Sequence, residues 1–290
     1  MSDKKIIDEI SGVETTGHEW DGITELNNPL PRWWLWTMYA TIVFAIGYMI
    51  YYPAIPLINE ETKGISGITA RSILGEELAV AKAAKAGLIA KVEESSVEEI
   101  AGDSELRRFA ISAGNSLFKV NCVQCHGSGA QGSSGYPNLN DDDWLWGGDL
   151  DAIYQTISHG SRYEQDDDTR TSEMPAFGKD ELLEKEQIGE IAEHVLNISG
   201  FKFDAEKASK GAPLFAENCA SCHGEDGKGN NEFGAPNLAD ALWLYAGSRE
   251  DIIAQMNSPK HGEMPAWQAR LGDVAVKQLA VYVHNLGGGK

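Results

Sequence analysis

Two copies of one five-residue signature constrain this chain more than anything else in it: Cys122-Val123-Gln124-Cys125-His126 and Cys219-Ala220-Ser221-Cys222-His223. In each copy the two cysteines, three positions apart, share one face of a helical turn. Thiols so placed can form thioethers to the two vinyl groups of a haem, and the His that follows can then ligate its iron. C-x-x-C-H is the attachment pattern of c-type haem. A Met-Pro-Ala segment follows each copy, at Met174 and at Met264. A Pro after the Met biases its backbone to an extended form and holds it in a loop. A neutral thioether opposite the His gives the ligation of an electron-carrying cytochrome.

The expected cofactors are therefore two covalently bound haem c groups. Cys122, Cys125, Cys219 and Cys222 attach them, and His126, Met174, His223 and Met264 are the axial iron ligands, one Met following each motif. Structural zinc on four cysteines is the competing reading. It explains neither the two histidines nor the two Met-Pro-Ala segments. A thioredoxin-like pair lacks the βαβ pattern it needs. His159 and His261, each upstream of a Met, leave a His/His site open, above all for the first haem. Met256 lies in a helical stretch without a following Pro and reads as core. Trp144 and Trp243 could reach a haem or its propionates through their indole N–H groups, or could simply pack.

Around these motifs the chain repeats itself. Gly114-x-x-Leu117-Phe118 leads into the first motif and Gly211-x-x-Leu214-Phe215 into the second. Gly127 and Gly224, Pro137-Asn138-Leu139 and Pro236-Asn237-Leu238, Trp144 and Trp243, and Ile153 and Ile252 then recur in the same order. A leading helix, haem loop, middle helix, Met loop and closing helix (residues 182–198 and 274–286) give the order of a class I cytochrome c. The copies differ by an acidic run, residues 164–168, placed before the first Met loop. Such a run is either a solvated loop or a docking surface near the haem edge.

One apolar segment, residues 33–52, has no charge over 20 positions. That suffices to cross a hydrocarbon core of about 30 Å. Tryptophans crowd one end and tyrosines the other, as in an aromatic belt. Some thirty polar residues precede it and no small-residue cleavage pattern follows, so a cleaved signal fits poorly. The basic residues that flank it, Lys4, Lys5 and Arg32 before and Lys63 and Arg71 after, are too balanced to set its orientation. A formal charge of −20 argues against nucleic acid as a partner. The charge is concentrated: net −10 over residues 105–200 against −2 over 201–290.

The fold expected is mainly α, a single N-terminal transmembrane helix followed by two tandem class I cytochrome c domains. Residues 1–32 form an irregular strap, 33–58 the transmembrane helix, 59–104 a helical linker punctuated by Gly75, Gly87 and Gly102, 105–200 the first cytochrome domain and 201–290 the second.

The segment Asp21-Gly22-Ile23-x-Glu25-Leu26-x-Asn28-Pro29-Leu30-Pro31-x-Trp33-Trp34 adds specificity that haem motifs lack. With it, the whole chain resembles the dihaem cytochrome c subunit of cbb3-type cytochrome c oxidases. That resemblance implies an electron-transfer subunit of a respiratory oxidase, not catalytic by itself. It would take electrons from a soluble or membrane cytochrome c and pass them through a monohaem cytochrome c subunit to a catalytic haem–copper subunit. It also implies a single-pass protein of the bacterial inner membrane with its haem domains in the periplasm. A free membrane-anchored dihaem carrier is the alternative, and a dihaem peroxidase, which needs an open axial position, a distant third.

Overall fold

In the computed structural model, residues 6–288 are described, so Lys4 and Lys5 lie outside the described part. The chain divides into two compact units, residues 1–84 and 85–290.

The first unit opens with an antiparallel hairpin, β1 (Thr15–Trp20) and β2 (Ile23–Leu26). Its turn is Asp21-Gly22, with φ of 51° and 84°. Two successive positive φ values suit the twist of a two-residue hairpin, and Asp-Gly supplies them at least cost. The strap is thus paired where the sequence reading expected irregular chain. Helix α1 (Arg32–Tyr51) follows, entered at Pro31 and left at Tyr52 before Pro53. None of its side chains is buried. The span ends at Tyr51, short of the expected residue 58. The terminal carbonyls of Ile50 and Tyr51 accept from Ile65 and Ser66 N–H (3.1 and 2.9 Å), so a returning loop satisfies groups that a helix end leaves open. Helix α2 (Ala70–Glu94) then runs without a break through Gly75 and Gly87, which do not punctuate it.

In the second unit a capping box on Ser96 starts α3 (Val97–Gly102). Asp103 caps the leading helix α4 (Ser104–Asn121) through Glu105 and Leu106 N–H. The first haem motif forms the short turn α5 (Val123–His126), and Asp149 caps the middle helix α6 (Leu150–His159). Then come α7 (Lys185–Ile198), the second leading helix α8 (Ala205–Asn218) capped by Asp204, the second haem turn α9 (Ala220–His223), the middle helix α10 (Arg249–Asn257), the turn α11 (Gln268–Leu271) and α12 (Asp273–His284).

The repeat predicts that α7 closes on α4 and α12 on α8. The packing is the reverse. Phe118 of α4 and Ile153 and Ile157 of α6 share a core with Val276, Leu279 and Val283 of α12. Phe215 of α8 and Ile252 and Met256 of α10 share another with Ile188, Ile191 and Val195 of α7. The glycine of each leading helix marks the crossing. A Cβ on Gly114 would run into the Gln278 carbonyl and Tyr282, and one on Gly211 into the Glu190 carbonyl.

The expected boundary at residue 200 therefore cuts through a packed unit. Residues 172–258 form one cytochrome-like body in permuted order, inserted into another made of 104–162 and 262–286. The physical reason is short connection. Only residues 199–204 separate α7 from α8, and helices so joined pack on each other. With α7 taken, α4 is closed by α12.

Candidate haem centres

Each haem turn opens on its own cavity. Cys122, Cys125 and His126 line the first, and the methionine beside them is Met264. Cys219, Cys222 and His223 line the second, with Met174 in its Met-Pro-Ala loop and the buried Met256 of α10. All eight predicted residues thus reach a cavity, but each Met lies in the cavity of the other repeat's motif. The exchange is fixed by backbone. Ser161, just past α6, exchanges two hydrogen bonds with Met264 (both N···O 2.9 Å), and Trp267 N–H donates to the Ile157 carbonyl (3.0 Å). Correspondingly, Lys179 N–H donates to the Asn257 carbonyl at the end of α10 (3.1 Å).

The histidines are held alike. His126 Nδ1 lies 3.0 Å from the Pro137 carbonyl, and His223 Nδ1 3.0 Å from that of Pro236. A carbonyl only accepts, so Nδ1 carries the proton and Nε2 keeps its lone pair for a metal. Burial lowers the pKa of both rings, against a smaller opposing effect of that hydrogen bond. The recurring Pro-Asn-Leu was visible in the sequence; its role as acceptor was not.

Burial pushes the Cys122 and Cys219 thiols up to about 11, which disfavours the thiolates zinc requires. Among the described residues no cysteine joins a cluster of metal-ligating atoms. The two CxxC pairs line separate cavities and make no four-cysteine site. What the second cavity does offer is a buried donor with no acceptor, Trp243 Nε1. An anionic acceptor such as a haem propionate suits it, and a largely apolar cavity with two thiols, a His and a Met suits the ring. Residues and group fit.

Of the two competing histidines, His261 lines a cavity and His159 does not. His159 pairs with Asp166 (3.2 Å) and lines neither cavity. His261 is an exposed residue at the second cavity. Met256 is buried in the core and also lines the second cavity. The acidic run lines neither cavity either. Asp166 ties it into a turn, accepting from Thr169 N–H at its carbonyl and Asp168 N–H at its carboxylate. The run lies within the longer of the two crossings between the bodies.

Residues 109–195 and 206–283 match the family described as cytochrome c oxidase, cbb3-type, subunit III, and residues 12–59 match the N-terminal domain of cytochrome oxidase-cbb3, FixP. The chain belongs to that subunit III family. It is 58% identical to the cbb3-type cytochrome c oxidase subunit FixP of Sinorhizobium medicae over the full length of both chains. It is 51% identical to the subunit CcoP of Cereibacter sphaeroides, covering 95% of each. The FixP of a Bradyrhizobium species is 47% identical, again over the full length of both. The chain is a membrane-anchored cytochrome c subunit that serves electron transfer in a cbb3-type oxidase complex.

Proposed function

We propose that this subunit carries two haem c groups, ligated crosswise, and relays electrons from a donor cytochrome c towards a haem–copper catalytic subunit by way of a monohaem subunit. The observation that carries the reading is the pair of cavities, each joining a C-x-x-C-H turn from one repeat to a methionine from the other. Bound haem supplies a one-electron iron couple at each site. The protein's residues do the rest. Cys122 and Cys125, and Cys219 and Cys222, anchor covalently. His126 and His223 present Nε2 with the tautomer set by a backbone carbonyl. Met264 serves His126, and Met174 serves His223, as soft donors that favour the reduced state. Met264 and Met174 would occupy, on a bound haem, the ligand site that peroxide or oxygen chemistry needs, which leaves oxygen chemistry to the partners. The bulk of the chain after α1 lies in the periplasm, where bacteria attach c-type haem.

The test uses the oxidase complex purified in mild detergent. Cys122→Ala with Cys125→Ala leaves one covalent haem by mass of the denatured chain; two retained would overturn the attachment sites. In that background Met174→His lowers the potential of the remaining haem and Met264→His leaves it unchanged. The opposite pattern would restore ligation in sequence order.

A further inference from the structure

Between the two cavities stands a cation that joins none of the ion pairs among the described residues. Arg162 lines both. Its Nε donates to the Gly262 carbonyl (2.6 Å) and its Nη1 to the Ser172 carbonyl (3.2 Å), so the side chain bridges both crossings between the two bodies. Two of five N–H groups are thereby used. Among the described residues no carboxylate comes within ion-pair reach of it.

The placement is costly twice over. Arg162 holds φ at 55°, a left-handed backbone unusual for a side chain of this size, fixed by Arg162 N–H to the Arg170 carbonyl (2.8 Å) and by the Ser161–Met264 pair next to it. The guanidinium is also half-buried, and burial lowers its pKa more than its neighbours Tyr245 and Glu173 raise it. A desolvated cation without a counter-ion is expensive in a finished structure. Glu173 and Glu263 line the cavities beside it, yet among the described residues neither closes an ion pair with it. The remaining N–H groups suit an anionic oxygen ligand in either cavity.

We propose that Arg162 is a shared carboxylate clamp, donating to a propionate of the haem in each cavity so that one fixed positive charge acts on both irons. A planar fork with three spare N–H groups can serve two carboxylates at once, which an ammonium does less well. The inference rests on the dihaem reading above. Positive charge near an iron favours its reduced form, so the clamp raises both potentials together.

The test is redox titration of the intact oxidase complex carrying Arg162→Gln, after two covalent haems have been counted by mass. A count other than two sinks the dihaem reading and says nothing of the clamp. With two haems present, both midpoint potentials fall in the same direction. The expected size is about a tenfold change in the reduced-to-oxidised ratio at fixed ambient potential, which is about 59 mV for one electron. Arg162→Lys, which keeps the charge and loses the fork, recovers most of the fall at both haems. A shift at one haem alone, or at neither, overturns the shared clamp. Should Arg162→Gln fail to assemble, Arg162→Lys alone decides: small falls at both haems support the clamp, and a change confined to one or absent from both refutes it.

Discussion

The two haem centres are alike where the ligands sit and unlike everywhere around them. Both histidines donate to a proline carbonyl at 3.0 Å, and both leading helices cross their closing helix at a glycine. Yet Trp144 Nε1 donates to the Asp141 carbonyl (2.9 Å), while Trp243 Nε1 has no protein acceptor. The first cavity measures about 170 Å³ and the second about 660 Å³. The middle and closing helices are locked differently too. In the first body the Tyr154 hydroxyl donates to Asp273 (2.6 Å); in the second, Arg249 grips the buried Glu193 through Nε and Nη2. Duplication has kept the ligand-bearing turns and let the electrostatics diverge. Two haems bound as proposed would meet the same ligand types in different surroundings, the means by which a protein sets potentials apart.

The largest effect should come from the glycines, because they test which helix closes which body. Gly211→Val drives a branched side chain into the Glu190 carbonyl, and Gly114→Val one into the Gln278 carbonyl. Overpacking of this kind costs about 1–3 kcal/mol, and more where backbone must move. Gly211→Val should loosen α7, and with it Met174, changing the spectrum of the haem on Cys219 and Cys222 while sparing the other. Thermal melting followed at each haem's own absorption checks this. Damage to the first haem alone would contradict the exchanged packing.

Glu193 offers a smaller and more selective break. It is buried, and besides Arg249 it accepts from Asp204 N–H (2.7 Å), so it joins α7 to both α10 and the cap of α8. The Arg249 hydrogen bond, opposed by burial and helped by the Asp204 N–H, holds its carboxyl below the ordinary range. A lowered folded pKa means stability that is present above the unfolded value and lost as pH falls through the folded one. The second body should therefore loosen on acidification through Glu193, whereas the corresponding link of the first body runs through Asp273. Glu193→Gln should remove that acid limb and lower the melting temperature at neutral pH. An unchanged acid limb, read at the second haem, would show that the pair does not hold this body together.

How much of this was legible beforehand follows from what a repeat can and cannot encode. The C-x-x-C-H turns, the Met-Pro-Ala loops and the Gly-x-x-Leu-Phe helices are local patterns, and each forms where the sequence places it. Which closing helix meets which leading helix is not local. Both pairings bury the same kind of interface, with a glycine at the same crossing, so the pattern is satisfied either way. The short connection at residues 199–204 carried the answer, since α7 and α8 have no length to part company. The extra residues of the acidic run before Met174 were visible as well. Their meaning, the length of one crossing, requires the exchanged fold. Asp21-Gly22 is a hairpin turn that could have been read directly. Arg162 has no counterpart signal: a lone basic residue in an acidic stretch says nothing until two cavities meet beside it.

The smallest effect expected is also the one most specific to the first centre. Asp143 lines the first cavity, and its carboxyl is pushed up to about 6 by burial first and then by the negative charges of Asp240 and Asp141. As pH rises through about 6 this group ionises, adding a negative charge beside the first haem and favouring ferric iron. The first potential should fall over that range by less than the about 59 mV of a tenfold change, and the second should respond less. The folding linkage has its own sign. A carboxyl whose folded pKa is raised binds more protons folded than unfolded, so its contribution to stability declines as pH rises from the ordinary aspartate range through about 6. Asp143→Asn carries no charge on either side of pH 6 and should flatten both dependences at once. Potentials measured between pH 5 and pH 8 in the two proteins decide it. A first-haem slope that survives the substitution would move the titration elsewhere in the acidic loop, to Asp141, whose carboxyl burial also pushes up.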